Sequence, residues 1–179
     1  APITDADSLD YHVGVALDIL NSGAFPFKPE WFHSRIAGSG EILIAIGLSV
    51  GAEQFGALLQ CVGLLCVVSF FFVIPGKGQK ADKWLALVCI SSPVFIALAS
   101  SAKPMLLPAA MTTSALLLVH FQLSKISKKS PAVEVRNAFI LVCLLVMASA
   151  NMKMNFMLSG GVIGCLAVLF LVNSKFRLT

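Results

Sequence analysis

Residues 36–74, IAGSGEILIAIGLSVGAEQFGALLQCVGLLCVVSFFFVI, contain two apolar runs of unequal length, and that inequality decides the fold. The second run, Phe55 to Ile74, carries no charge and is long enough to cross a bilayer core of about 30 Å, which takes roughly 20 apolar residues in a helix. The first, Ile36 to Val50, covers only about 15 residues, or roughly 22 Å at helical rise, and contains Gly38, Gly40 and Gly47. Lengthening it to spanning size draws Glu41 inward, at a cost approaching ~3 kcal/mol at the bilayer centre. Ile36 to Val50 therefore reads as an interfacial or re-entrant helix, with Gly51-Ala52-Glu53 as the turn into the first true span.

Outward from this stretch the same pattern recurs. Trp84 to Ala102, Pro104 to Leu123 and Met154 to Val172 are of spanning length. Asn137 to Met152 is shorter and reads as a fifth span, accommodated by local thinning or snorkelling. At 58% hydrophobic and 12% charged over 179 residues, the chain lies outside the range of soluble domains, which are about half apolar and a quarter charged. The expected fold is an all-α, polytopic transmembrane helical bundle of about five helices over residues 54–179. Residues 1–53 precede it as an outward-facing loop with amphipathic and interfacial helices.

Charge sets the orientation. Lys77, Lys80 and Lys83 fall in one loop, Lys125, Lys128, Lys129 and Arg136 in another, and Lys175 and Arg177 in the tail. With five spans these three segments share a face, which the positive-inside rule makes cytoplasmic. Residues 1–53 and the turns around Lys103 and Lys153 then face outward. The chain opens without Met and without a signal-peptide pattern, so it reads as a fragment of a larger protein, with a processed chain as the alternative. Cys61, Cys66, Cys89, Cys143 and Cys165 all sit inside apolar runs without metal-ligand spacing, and read as buried thiols.

The outward segment holds the chemistry. Asp7 to Leu20 has helical periodicity, with Leu9, Val13, Leu17 and Leu20 on one stripe and Asp7, Asp10, Tyr11, Gly14 and Asp18 on another. Asp7 suits an N-cap and Asp10 the third helical position, a reading that competes evenly with catalysis. Asn21-Ser22-Gly23 ends the helix, and Pro26 and Pro29 hold the next residues extended. Phe25, Phe27, Trp31 and Phe32 beside Lys28 and Arg35 form a headgroup-level belt.

One membrane surface thus gathers Asp5, Asp7, Asp10, His12, His33, Arg35, Glu41, Lys103 and Lys153. Carboxylates there suit a general base toward an acceptor hydroxyl, or oxygen ligands for a divalent cation. Lys and Arg suit a lipid-linked phosphate. Each has a plainer alternative: His12 at the wet edge of its helix, His33 and Arg35 on headgroups, Lys103 and Lys153 snorkelling at helix ends.

The order DSLDYH, then EWFHSRIAGSGEILIAIGLSVGAEQFGALLQ, then a span with a basic end, then WLALVCISSPVFIALASSAKP with Ser-Pro at its middle, resembles the GT-C superfamily of integral-membrane glycosyltransferases. In particular it looks like the relatives of the protein O-mannosyltransferases and of the lipid A aminoarabinose transferase. The resemblance implies sugar transfer from a polyprenyl-phosphate-linked donor to a lipid, glycan or protein acceptor on the outer face of the membrane. It implies Asp7 as the working acid or metal-associated residue, with Mg or Mn as the cation, and Asp5 and Asp10 as its neighbours. Tyr11, His12, His33, Arg35, Glu41, Lys103 and Lys153 would contact substrate. SSAKPMLLP departs from relatives that carry an Asp after the Ser-Pro helix. The expected location is a bacterial inner membrane with residues 1–53 periplasmic, and no nucleic-acid partner is expected. Two other classes compete: a non-catalytic membrane scaffold, and a transporter of lipid or polyisoprenoid, which the near absence of charge within the spans disfavours.

Overall fold

The computed structural model describes residues 6, 8–26, 37–73, 79–123 and 132–176, which are all helix and connection. A π-helical turn, Ser8–Val13, runs into α1, Gly14–Ser22. There follow α2, Ser39–Ser49; α3, Phe55–Val73; α4, Gln79–Ser91; and α5, Pro93–Ala99. Then come α6, Leu106–Leu118, prolonged as a π-helix over Val119–Leu123; α7, Ala132–Met152; and α8, Phe156–Phe176. The all-α class expected from the sequence is what forms.

Helix ends follow local chemistry. α1 stops at Gly23, whose left-handed φ of 69° lets its N–H bond the Ile19 carbonyl at 2.8 Å. α2 starts after extended Gly38, whose N–H donates to Glu41 Oε2 at 2.7 Å, the backward half of a capping box. It ends at Gly51, with φ 74°, in a turn that brings Phe55 against Gly47.

Two boundaries and the number of spanning stretches differ from expectation. Trp84 to Ala102 is not one helix, because Ser92 is extended (ψ 122°) and Pro93 starts α5 at its first helical position. Proline disfavours helical backbone in the residue before it and suits a first turn that needs no N–H, so the chain breaks at Ser92. α7 begins at Ala132 rather than Asn137, taking Glu134 into its first turn, where an acid suits the helix dipole. Its 21 residues need no thinning of a bilayer. The five expected spans reduce, among the described residues, to two helical stretches long and apolar enough to cross a membrane, Phe55–Phe72 and Val133–Met152. Ser39–Ser49, Leu106–Phe121 and Phe156–Val172 are apolar but shorter.

Those two stretches are only 28% and 11% buried within the chain. A core helix of a water-soluble protein buries most of its apolar face. Here Leu58, Val62, Leu65 and Phe72 of α3 and Ile140, Leu141, Leu144 and Met147 of α7 point outward. Cys61, Cys66 and Cys165 are exposed on the same kind of surface, and all five thiols are free.

The chain forms two compact units, Ala1–Ala110 and Met111–Thr179. In the first, α1 packs on α2, α2 on α3, and α3 on α4 and α5. Ala16, Ile44, Ala45 and Ala102 form one core; Leu64, Val68, Ala86 and Leu106 form another. The alanines allow close backbone approach. In the second unit α7 packs along α8, around Ala115, Val119, Val142, Ile163 and Ala167.

Gln60 joins helices within the first unit. It is buried, and its Oε1 accepts the N–H groups of Met105 at 2.9 Å, Leu106 at 2.8 Å and Leu107 at 3.4 Å. The Leu106 and Leu107 N–H groups are free donors at the start of α6, while that of Met105 is shared with the Lys103 carbonyl at 2.8 Å, so one amide oxygen of α3 caps another helix. Gln60→Leu keeps the volume and removes the acceptor. It is expected to cost about 1–2 kcal/mol, by analogy with loss of a helix cap, measured by reversible unfolding in mixed micelles; an unchanged midpoint would remove Gln60 as the cap.

Candidate functional site

The candidate site lies where the π-helical turn meets α2. The wider turn sends Ser8, Tyr11 and His12 inward and leaves Leu9 and Asp10 exposed. α1 continues that face with Val15 and Ala16, while Leu17 and Leu20 are exposed. The leucine stripe seen in the sequence is therefore an outer face, and Tyr11, grouped there with the acids, is on the packed side. π turns are rare and recur at functional sites.

From the first turn of α2, Glu41 meets His12. His12 Nδ1 lies 2.7 Å from Glu41 Oε1, with the two side chains 1% and 2% exposed. The other carboxylate oxygen, Oε2, accepts the Gly38 N–H. Both oxygens are thus held, and the N-terminus of α2 adds favourable dipole. This offsets the penalty that the sequence assigns to an inward Glu41. The Tyr11 ring stacks on that of His12, centroids 4.1 Å apart and 26° between planes. His12 Nε2 is buried without a hydrogen-bond partner among the described residues.

The loop between α5 and α6 docks beside this pair. Ala102 is fully buried with Ala16, one helical turn beyond His12, and with Ile44 and Ala45, one turn beyond Glu41. Lys103 follows immediately, half-buried, its N–H 3.4 Å from Ser101 Oγ. Tyr11, His12, Glu41 and the Lys103 loop, separated by up to 92 positions in sequence, are thereby gathered in one unit. Lys153 lies in the other unit, between α7 and α8, also half-buried.

Asp5, Asp7, His33 and Arg35 lie outside the described residues, as do Phe27, Lys28, Trp31 and Phe32 of the aromatic belt and Lys77, Lys125, Lys128 and Lys129 of the basic loops. No group of three or more ligating side chains occurs among the described residues. Asp10 is exposed and available to solvent or substrate, whereas Glu41 is committed on both oxygens. The His12–Glu41 pair was not foreseen. Its one sequence signal is the Gly38-Ser39-Gly40-Glu41 string, a helix-start pattern that predicts an inward-turned carboxylate but not its histidine partner.

An all-α chain with outward apolar helices and a buried histidine–carboxylate pair beside a lysine loop defines the class. The chain belongs to the DUF1420 N-terminal domain family, whose profile matches residues 1–178. Searches of curated proteins and of solved structures find no match.

Proposed function

We propose that this domain carries the catalytic loop of an integral-membrane glycosyltransferase of GT-C type, which moves a sugar from a polyprenyl-phosphate donor to an acceptor at the outer face of a bacterial inner membrane. The observation that carries the reading is the anchoring of the Ser8–Val13 turn. Its His12 is pinned to Glu41 of the short helix that follows, and the Lys103 loop packs one turn away. Such anchoring gives a loop the rigidity that positioned acids need. The outward apolar faces of α3 and α7 support placement in a bilayer.

In this reading Asp7 takes the proton of the acceptor hydroxyl as it attacks the sugar, with Asp5 and Asp10 adjacent. Lys103 meets the donor phosphate, and Tyr11, His33 and Arg35 contact substrate. Carboxylate oxygens also suit Mg or Mn, which would supply positive charge near the donor when held by Asp7. A non-catalytic membrane scaffold is the second reading, favoured by the structural use of both Glu41 oxygens.

The test is sugar transfer in proteoliposomes by the protein as encoded, against Asp7→Asn at matched folded amount. A fall of about a hundredfold is expected for loss of a general base. An unchanged rate would move the role to Asp5 or Asp10, and no transfer with any donor and acceptor would favour the scaffold.

A further inference from the structure

The His12 ring is enclosed and bonded at one nitrogen only. Glu41 cannot rotate away from it, because its second oxygen is held by the Gly38 N–H. An ionised carboxylate has only acceptors, so the 2.7 Å bond requires the proton on His12 Nδ1. A neutral imidazole in that tautomer carries its lone pair on Nε2. Tyr11, stacked on the ring, fixes the plane in which that lone pair points.

An unpaired buried polar atom costs about 1–3 kcal/mol. A residue that merely tied the π-helical turn to α2 would need one donor, not a second ring nitrogen left without a partner. Nε2 in this state takes a hydrogen bond and gives none. A phosphodiester, which offers only acceptors, finds no donor there, whereas a hydroxyl can donate.

We propose that His12 is neutral with its proton on Nδ1, that its Nε2 accepts a hydrogen bond from a hydroxyl of a carbohydrate or other polyol headgroup, and that Glu41 is the positioning residue that fixes the tautomer and orientation of His12. The choice of a polyol rests on the glycosyltransferase reading, whereas the acceptor character of Nε2 rests on the pair alone. Enclosure strengthens the bond, because water does not compete for it.

The test uses the protein as encoded, labelled with nitrogen-15 at histidine, in lipid nanodiscs. His33→Asn and His120→Asn variants assign His12 by elimination and leave the pair intact. His12 is expected to show a protonated Nδ1 and an unprotonated Nε2, a signature lost in Glu41→Ala. Octyl glucoside below its micellar concentration should shift the Nε2 resonance toward its hydrogen-bonded position, while octylphosphocholine, which lacks a hydroxyl, should leave it in place. A protonated Nε2 in the free protein, or the same response to both amphiphiles, or no response to either, overturns the proposal. These readings need no turnover. Absent sugar transfer with a glucoside-specific Nε2 shift would remove the glycosyltransferase reading alone; transfer without that shift would remove this proposal alone.

Discussion

His12→Leu is expected to destabilise the first compact unit by about 3 kcal/mol or more, the range for breaking a buried pair from one side. Leucine fills the space but donates nothing. The Glu41 carboxylate stays 2% exposed, and its Oε1 loses the bond from His12 Nδ1. Gly38 N–H and the start of α2 still hold Oε2, so the loss falls short of a stranded, wholly unpaired charge. The double variant His12→Leu/Glu41→Leu should recover part of the loss, because two apolar side chains need no desolvation, although α2 then lacks its backward cap. The four proteins form a double-mutant cycle, read by reversible unfolding in mixed micelles. A single variant within about 0.5 kcal/mol of the parent, the range of ordinary surface changes, would show the pair to be dispensable to the fold.

The second large effect is at Gly63. A Cβ there would stand 2.5 Å from the Leu106 carbonyl carbon and the Leu107 nitrogen, and 2.7 Å from the Leu106 oxygen. These are backbone atoms, so no rotamer relieves the overlap. The same turn of α6 is held by Gln60, one turn earlier on α3, and cannot retreat without stretching those bonds. Gly63→Ala should therefore cost about 3 kcal/mol, the upper end of ordinary overpacking. Gly160→Ala meets only the end of a side chain, Val146 Cγ1 at 2.8 Å, and should cost less. Gly161→Ala, with nothing within 4 Å, should be neutral or stabilising through helix propensity. Equal effects at Gly63 and Gly161 would refute the close approach of α3 to the start of α6.

Much of the helical punctuation was legible. The left-handed stop at Gly23, the short α2, the glycine turn at Gly51 and the start of α3 at Phe55 are local events, each carried by glycine or by an apolar run. The break before Pro93 was half legible: proline announced a bend or a start, and the length of the apolar run hid which. The start of α7 was missed because Glu134 and Arg136 interrupt hydropathy without interrupting a helix, where their charges lie near its first turn.

The site was less legible. Glu41 read as a liability because the cost of burying a carboxylate is visible in sequence while its partners are not; His12 lies 29 positions earlier. Gln60 drew no notice, since a glutamine inside an apolar run has no local signature of the helix it caps. The two stripes of α1 were legible only in part: Leu9, Leu17 and Leu20 share exposure, but Val13 of that stripe packs on the core, Asp10 is exposed and Tyr11 is buried, and the face packed on α2 is the one with Tyr11, His12, Val15 and Ala16.

The sequence by itself determined that this protein is helical, that α2 is short and α3 is long, and where glycine and proline end or start helices, because these depend on run length and on backbone freedom within a few residues. Only the tertiary structure decided that His12 and Glu41 share one buried hydrogen bond, that Gln60 caps α6, and that the Lys103 loop settles beside α1 and α2. Those outcomes depend on which distant groups arrive together, and the free energy of a buried polar atom is set by its partner rather than by its neighbours in the chain.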